Sequence, residues 1–141
     1  MERSEWAMLA IGSAKGRGLS PVQLQKVLFL LGKELPTVVG TDFYHFQPYN
    51  YGPFDKAVYQ DAEGLSYAGY VSIASSGRIT EYSATPEGSD YAEQIRARAP
   101  RLGTEYLTKI VEWAQSLTFS ELVRAIYNKY PQYRVNSVFQ G

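Results

Sequence analysis

The stretch "SPVQLQKVLFLLGKELP", Ser20 to Pro36, constrains this chain more than any other. Ser20 can cap a helix, and Pro21 fits its first position, where a missing N–H costs nothing. Leu24, Val27, Leu28 and Leu31 recur at helical spacing. Val22, Phe29 and Leu30 widen that stripe until little of the circumference is left polar. A helix so apolar is stable only when neighbours cover it on most sides. The fold is therefore expected to be built around this helix, with Pro36 forcing Leu35 out of helical geometry.

The other helices follow from similar signals. One spans about Ser4 to Ala14, with Trp6, Leu9 and Ala10 inward, and ends in the glycine-rich "KGRG". "TPEG" places Thr85 as cap, Pro86 at the first position and Glu87 in the first turn of a helix through about Arg98. Gly88 is costly inside a helix, and it predicts close packing against a neighbouring backbone. After Pro100 a helix is expected over about Leu102 to Ser116, with Leu102, Tyr106, Ile110, Trp113 and Leu117 buried. Thr118 and Glu121 then form a capping box for a helix carrying Phe119, Leu122, Val123, Ile126, Tyr127 and Tyr130. Pro131 stops it, and the apolar residues of the tail, Tyr133, Val135, Val138 and Phe139, predict docking.

Two segments read as extended. "TDFYHFQPYN" is rich in β-prone aromatics, and Pro48 would put it at an edge. "YVSIASSGRITEYSA" reads as a hairpin, with Ser75 to Arg78 as its loop and Val71 opposite Tyr82. Between them Pro53 is read as a helix starter, with Asp55 in the first turn and Phe54, Val58, Ala62 and Leu65 on one face as far as Gly69. Helix, helix, extended segment, helix, hairpin, helix is the order of a winged helix-turn-helix. The expected fold is thus mostly α (α+β). A winged-helix-like core covers about residues 1–99 and a C-terminal helical extension about 100–141, all in one domain.

Composition narrows the function. The chain of 141 residues has 14 basic and 14 acidic side chains and no cysteine. Disulfides, thiolate chemistry and Cys-type zinc sites are excluded, and a cytoplasmic address is expected. The N-terminal apolar run, Trp6 to Ile11, is too short for a signal peptide or membrane span. Residues 41–90 hold two basic against seven acidic side chains, net −5. The presumed recognition helix, with Asp55, Asp61 and Glu63 against Lys56, would repel a phosphate backbone. Only Gln60 is well placed to read a base.

Catalytic signals are weak. His45 is the single histidine and is expected to be packed and hydrogen-bonded; no nucleophile elbow or metal-ligand cluster accompanies it. No cofactor is expected. The unusual feature is aromatic: 12 Tyr and 6 Phe, several of them between Tyr44 and Tyr59. Tyrosine is a preferred interface anchor, offering area and a polar tip at low entropy cost. A patch of Tyr49, Tyr51, Phe54 and Tyr59 rimmed by Asp55, Asp61 and Glu63 suits a protein partner, a basic one by its charge. The alternative is a DNA-binding winged-helix transcriptional regulator using Arg96, Arg98 and Arg101. Homo-oligomerisation is compatible with either.

"LSPVQLQKVLFLLGKEL" followed by "FQPYNYGPFDKAVYQDAEGLSYAGYVSI" resembles the Panacea (SocA-like) antitoxin-associated domain and its YwgA-like relatives. Leu24, Lys26, Leu28 and Phe29 match the first motif of that family; Tyr51, Gly52, Pro53 and Tyr59 match the second. Tyr49 stands where many members carry Trp, and the YwgA-like side is the closer match. The resemblance implies a non-catalytic, mostly helical bacterial or phage protein of toxin–antitoxin type. Such a protein neutralises a toxin, or delivers a partner to a protease, by direct contact.

Overall fold

The computed structural model describes residues 1–140. The fold is mostly α (α+β), with two small antiparallel hairpins among the helices. Helix α1, Arg3–Ser13, starts from a reciprocal capping box between Glu2 and Glu5. Its whole run from Trp6 to Ile11 is buried, so it lies deeper than the expected three inward residues. Helix α2, Pro21–Glu34, starts as read: Ser20 Oγ accepts from the N–H of Gln23, whose side chain bonds back to the Ser20 N–H. Leu24 and Val27 through Leu31 are buried, so two central helices share the core.

Between α1 and α2, Gly18 takes φ +86°, and Leu19 exchanges two backbone hydrogen bonds with Tyr82 (3.0 and 2.8 Å). A side chain at Gly18 would strike the Tyr82 carbonyl, so the glycine is what lets loop and hairpin meet. Leu35 leaves helical geometry as expected. A single further turn, α3 (Pro36–Val39), follows it.

The next segment corrects the sequence reading. Pro53 does not start a helix. It lies in strand β2, Gly52–Phe54, which pairs with β1, Gln47–Tyr49, in the register Pro48↔Pro53. Helix α4, Lys56–Tyr67, begins three residues after Pro53. Its N-cap is Asp55, whose Oδ1 accepts from the Ala57 N–H (2.9 Å). Val58, Ala62 and Leu65 form its buried face; Phe54 belongs to the strand. Two prolines facing each other are tolerated because each strand of a two-stranded ribbon is an edge.

Strands β3 (Val71–Ser76) and β4 (Ile79–Ala84) form the expected hairpin with a tighter turn, Gly77–Arg78. Val71 lies opposite Ala84 rather than Tyr82, and Ile73 opposite Tyr82. This is a shift of two, which preserves the faces because side chains alternate with period two. Helix α5, Pro86–Arg98, is capped by Thr85, whose hydroxyl accepts from the Gly88 N–H (3.0 Å). A Cβ on Gly88 would sit 1.8 Å from the Tyr70 carbonyl oxygen, which is the predicted close approach.

Helix α6, Arg101–Gln115, buries a different face from the expected one. Gly103, Thr104, Leu107, Val111 and Ala114 point inward, Tyr106, Ile110, Trp113 and Leu117 are half-buried, and Leu102 is exposed. Helix α7, Phe119–Lys129, carries the Thr118–Glu121 capping box as read, although Phe119 itself is exposed. A 3-10 turn, Pro131–Arg134, then brings Tyr133 against Phe29 (centroids 4.8 Å, edge-on). Phe29 also meets Phe46 and Tyr130, making a second, aromatic cluster beside the main core. The tail docks at the β1–β2 turn, where the Val138 N–H donates to the Asn50 carbonyl (2.9 Å), while Val135 stays exposed.

Candidate functional site

The first and second halves of the sequence motif meet at Lys26. Its position on α2 puts it under the β1–β2 hairpin, where its Nζ donates to the Pro53 carbonyl (3.1 Å). Lys26 is only 3% exposed, and burial alone lowers its pKa to about 7, because a low-dielectric surrounding penalises the ammonium. Next to it the Gln25 amide pairs with the backbone of Asp55, donating to its carbonyl (2.9 Å) and accepting from its N–H (3.1 Å). Gln25 thereby fixes the strand-to-helix corner, while Lys26 holds the strand.

The hairpin's aromatic residues divide into two groups. Tyr49 stacks on Phe54 (4.7 Å), and Phe54 packs edge-on against Tyr59 (5.6 Å), which lies parallel to Tyr82. Tyr59 is half-buried, and desolvation, with a smaller contribution from Tyr82, pushes its phenol up to about 12. On the other side Tyr51 meets Phe119 edge-on (5.2 Å), and Phe119 meets Phe139 (6.2 Å). Tyr49, Tyr51, Phe119 and Val138 are each more than two-fifths exposed; Tyr51 touches Phe119, Val138 bonds Asn50 between the two tyrosines, and Tyr49 and Tyr51 line one recess. Phe119 and Val138 were not foreseen as site residues. The packing of α7 beside β2 brings Phe119 to Tyr51, and the folding of the tail onto Asn50 brings Val138 to the same turn.

The acidic residues behave differently. Asp55 is committed to its cap and, through Oδ2, to the His45 N–H (2.8 Å). Asp61 faces away from the aromatic patch: its Oδ2 accepts from the Tyr44 hydroxyl (2.6 Å) and from Arg3 Nε (3.2 Å). Desolvation first, and Asp61 second, push the Tyr44 phenol far above its ordinary range. Of the three acids only Glu63 is exposed. His45 is not packed as expected; its side chain is exposed.

The three arginines are dispersed in their partnering. Arg98 bonds Glu5 on α1. Burial raises Glu5, but the Arg98 guanidinium and the Glu2 N–H outweigh it and hold the carboxyl below its usual range. Arg96 bonds Glu93 (3.3 Å), Thr108 and Ser13, and Arg101 bonds Glu105 (2.7 Å). Arg96, Arg101 and Lys109 do line one shallow cleft together. A larger cleft of about 590 Å³ lies between the α1–α2 loop, β4 and α6. Its polar groups are largely used internally: Arg17 pairs with Glu81, and the Gln115 amide bonds the backbone of Lys15 and Gly18.

Among the described residues no group of acidic or histidine side chains is arranged to hold a metal ion, and no helix is long and apolar enough to cross a membrane. No family model matches this chain, and no curated protein or solved structure matches it either.

Proposed function

We infer that this protein is a non-catalytic protein-binding module, antitoxin-like in mode, that acts by covering a surface of a protein partner. The observation that carries the reading is the exposed aromatic surface of Tyr49, Tyr51, Phe119 and Val138. Contiguous apolar surface of this kind, built on a hairpin and tied by a docked tail, suits recognition of a polypeptide. The resemblance to Panacea and YwgA-like proteins supports the same reading, since its two motifs are the segments that meet at Lys26 and Pro53. The order of α1, α2, α4, the β3–β4 hairpin and α5 supports a winged-helix-like core over about 1–99, with 100–141 as its helical extension. A cytoplasmic address fits a cysteine-free chain.

DNA binding through Arg96, Arg98 and Arg101 draws less support, because each guanidinium already meets a carboxylate. The test is affinity capture from a lysate of the encoding organism with wild-type protein and a Tyr49→Ser/Tyr51→Ser variant of equal thermal stability. A specific protein lost by the variant is expected. Equal recovery by both removes the surface from the reading.

A further inference from the structure

Nothing in the packing of α2 calls for a cation at Lys26. Its neighbours Leu24, Val27 and Leu28 are fully buried, and the one bond it makes, to the Pro53 carbonyl, needs a donor but not a charge. An ammonium has three donors; one is used, by the Pro53 carbonyl. No ion pair among the described residues includes Lys26. Asp55, close by on the strand-to-helix corner, gives its carboxylate to two backbone N–H groups instead. A buried ammonium without a counter-charge is unfavourable: it gives up its proton more readily, or it is stabilised by an anion that enters beside it.

There is room for one. A recess of about 150 Å³ is lined by Lys26, Gly52, Tyr49, Tyr51, Phe54 and Tyr59, among others. Gly52, at φ +106°, lies over the lysine: a Cβ there would stand 3.4 Å from Cε and 3.6 Å from Nζ. Both aromatic groups of the surface described above reach this recess, one through Tyr49 and Phe54, the other through Tyr51.

We propose that the recess is a carboxylate subsite, in which the Lys26 ammonium receives an acidic side chain of the protein partner while the surrounding rings hold its apolar flanks. The inference rests on the protein-binding reading and names what the partner presents. Clefts that seat whole small molecules are larger, roughly 300–1,000 Å³, so a single side chain fits this one better than a free metabolite. Aromatic surface on two sides leaves the partner chain free to run on in both directions, which favours a side chain over a chain terminus. The partner is then acidic at this point. This differs from the basic partner expected from Asp55, Asp61 and Glu63, of which the first two have carboxylates engaged within the fold and only Glu63 is exposed.

The groups facing the lysine leave its protonation to control binding. Tyr59 of α4 stays neutral up to about 12, Tyr127 of α7 reaches the same glycine and donates to Ser137, and Arg134 stacks over the Tyr127 ring. The remaining titratable lining groups, Tyr49 and Tyr51, come from the hairpin. A carboxylate binds the ammonium, so affinity is level from about pH 5, above which the carboxyl is ionised, to about 7, and falls about tenfold per pH unit beyond that.

Propionate, the end of a glutamate side chain, tests this by NMR titration of the isotope-labelled full chain at constant ionic strength. Propionamide controls for charge and N-acetylglycine mimics a chain terminus. Saturable shifts at Lys26 and Gly52 with propionate are expected. They should weaken more than about tenfold between about pH 7 and about pH 9, and be absent with propionamide and in Lys26→Met. Equal shifts with propionamide, no saturable shift, or a pH-independent response overturn the subsite. Tighter binding of N-acetylglycine overturns the side-chain assignment. The titration contains no partner. A silent recess beside intact, tyrosine-dependent capture therefore defeats only this inference, whereas lost capture dependence defeats the reading beneath it.

Discussion

At the scale of single residues, Lys26 and Gly88 show opposite uses of a buried position. Lys26 is held where its charge is disfavoured, with a pKa near 7 against an ordinary 10.5. Between those values the unfolded chain carries a proton that the folded chain lacks, so this group makes stability rise with pH from about 7 to about 10.5. Lys26→Met removes that proton-linked cost, on the order of 5 kcal/mol at pH 6 given about 1.4 kcal/mol per pKa unit. Against this stands about 1–3 kcal/mol for the Pro53 carbonyl left without a donor, so the substitution should stabilise the fold there. The gain should vanish near pH 11, and denaturant titrations at the two pH values check it. Such a gain at the proposed subsite would be stability given up for function. Gly88 is the reverse case, a residue that only packing explains. Gly88→Ala drives a methyl into the Tyr70 carbonyl and should cost more than about 2 kcal/mol, read from the denaturation midpoint. Gly88 was legible from the sequence, because glycine inside a helix has few other reasons to be there. The burial of Lys26 was not, since a lysine on an apolar stripe looks like any side chain that snorkels to water.

At the scale of elements, helix starts were the clearest signals. Ser20 with Pro21, Thr85 with Pro86, and Thr118 with Glu121 each cap the helix expected of them. Thr118→Ala should cost about 1 kcal/mol through loss of the bond to the Glu121 N–H, measured by thermal or chemical denaturation. Pro53 misled because the same residue serves a helix start and an edge strand, and a strand of three residues is too short to show a period of two. The inward face of α6 misled for another reason. Large apolar residues suggest burial, yet the contact with α1 is made where side chains are small. A Cβ on Gly103 would approach the Trp6 ring to 2.5 Å, so the close side of the helix is the one without bulk. Gly103→Val should accordingly separate α1 from α6 and lower the melting temperature, whereas the exposed Leu102→Gln should not.

At the scale of the whole molecule, charge and apolar surface are sorted to different places. The acidic segment from Asp42 to Asp90 engages three of its carboxylates within the chain: Asp61 on Tyr44 and Arg3, Asp55 at the hairpin-to-helix corner, and Glu81 on Arg17. The arginines Arg96, Arg98 and Arg101 are matched one by one with glutamates. As Tyr67, Ile79 and Leu102 do elsewhere, Tyr49, Tyr51, Phe119 and Val138 stay exposed where the hairpin, the start of α7 and the tail meet. The hairpin half of that surface was visible in the sequence as a cluster of tyrosines. The half from Phe119 and Val138 was not, because it depends on α7 packing beside β2 and on the tail returning across almost ninety residues to bond Asn50. The most direct test of the account is hydrogen–deuterium exchange on the wild-type chain with and without its captured partner. Protection is predicted at residues 49–54, at the start of α7 and in the tail, with the α5–α6 corner unchanged. Protection confined to residues 96–101, with the hairpin and tail exchanging as in the free protein, would contradict it.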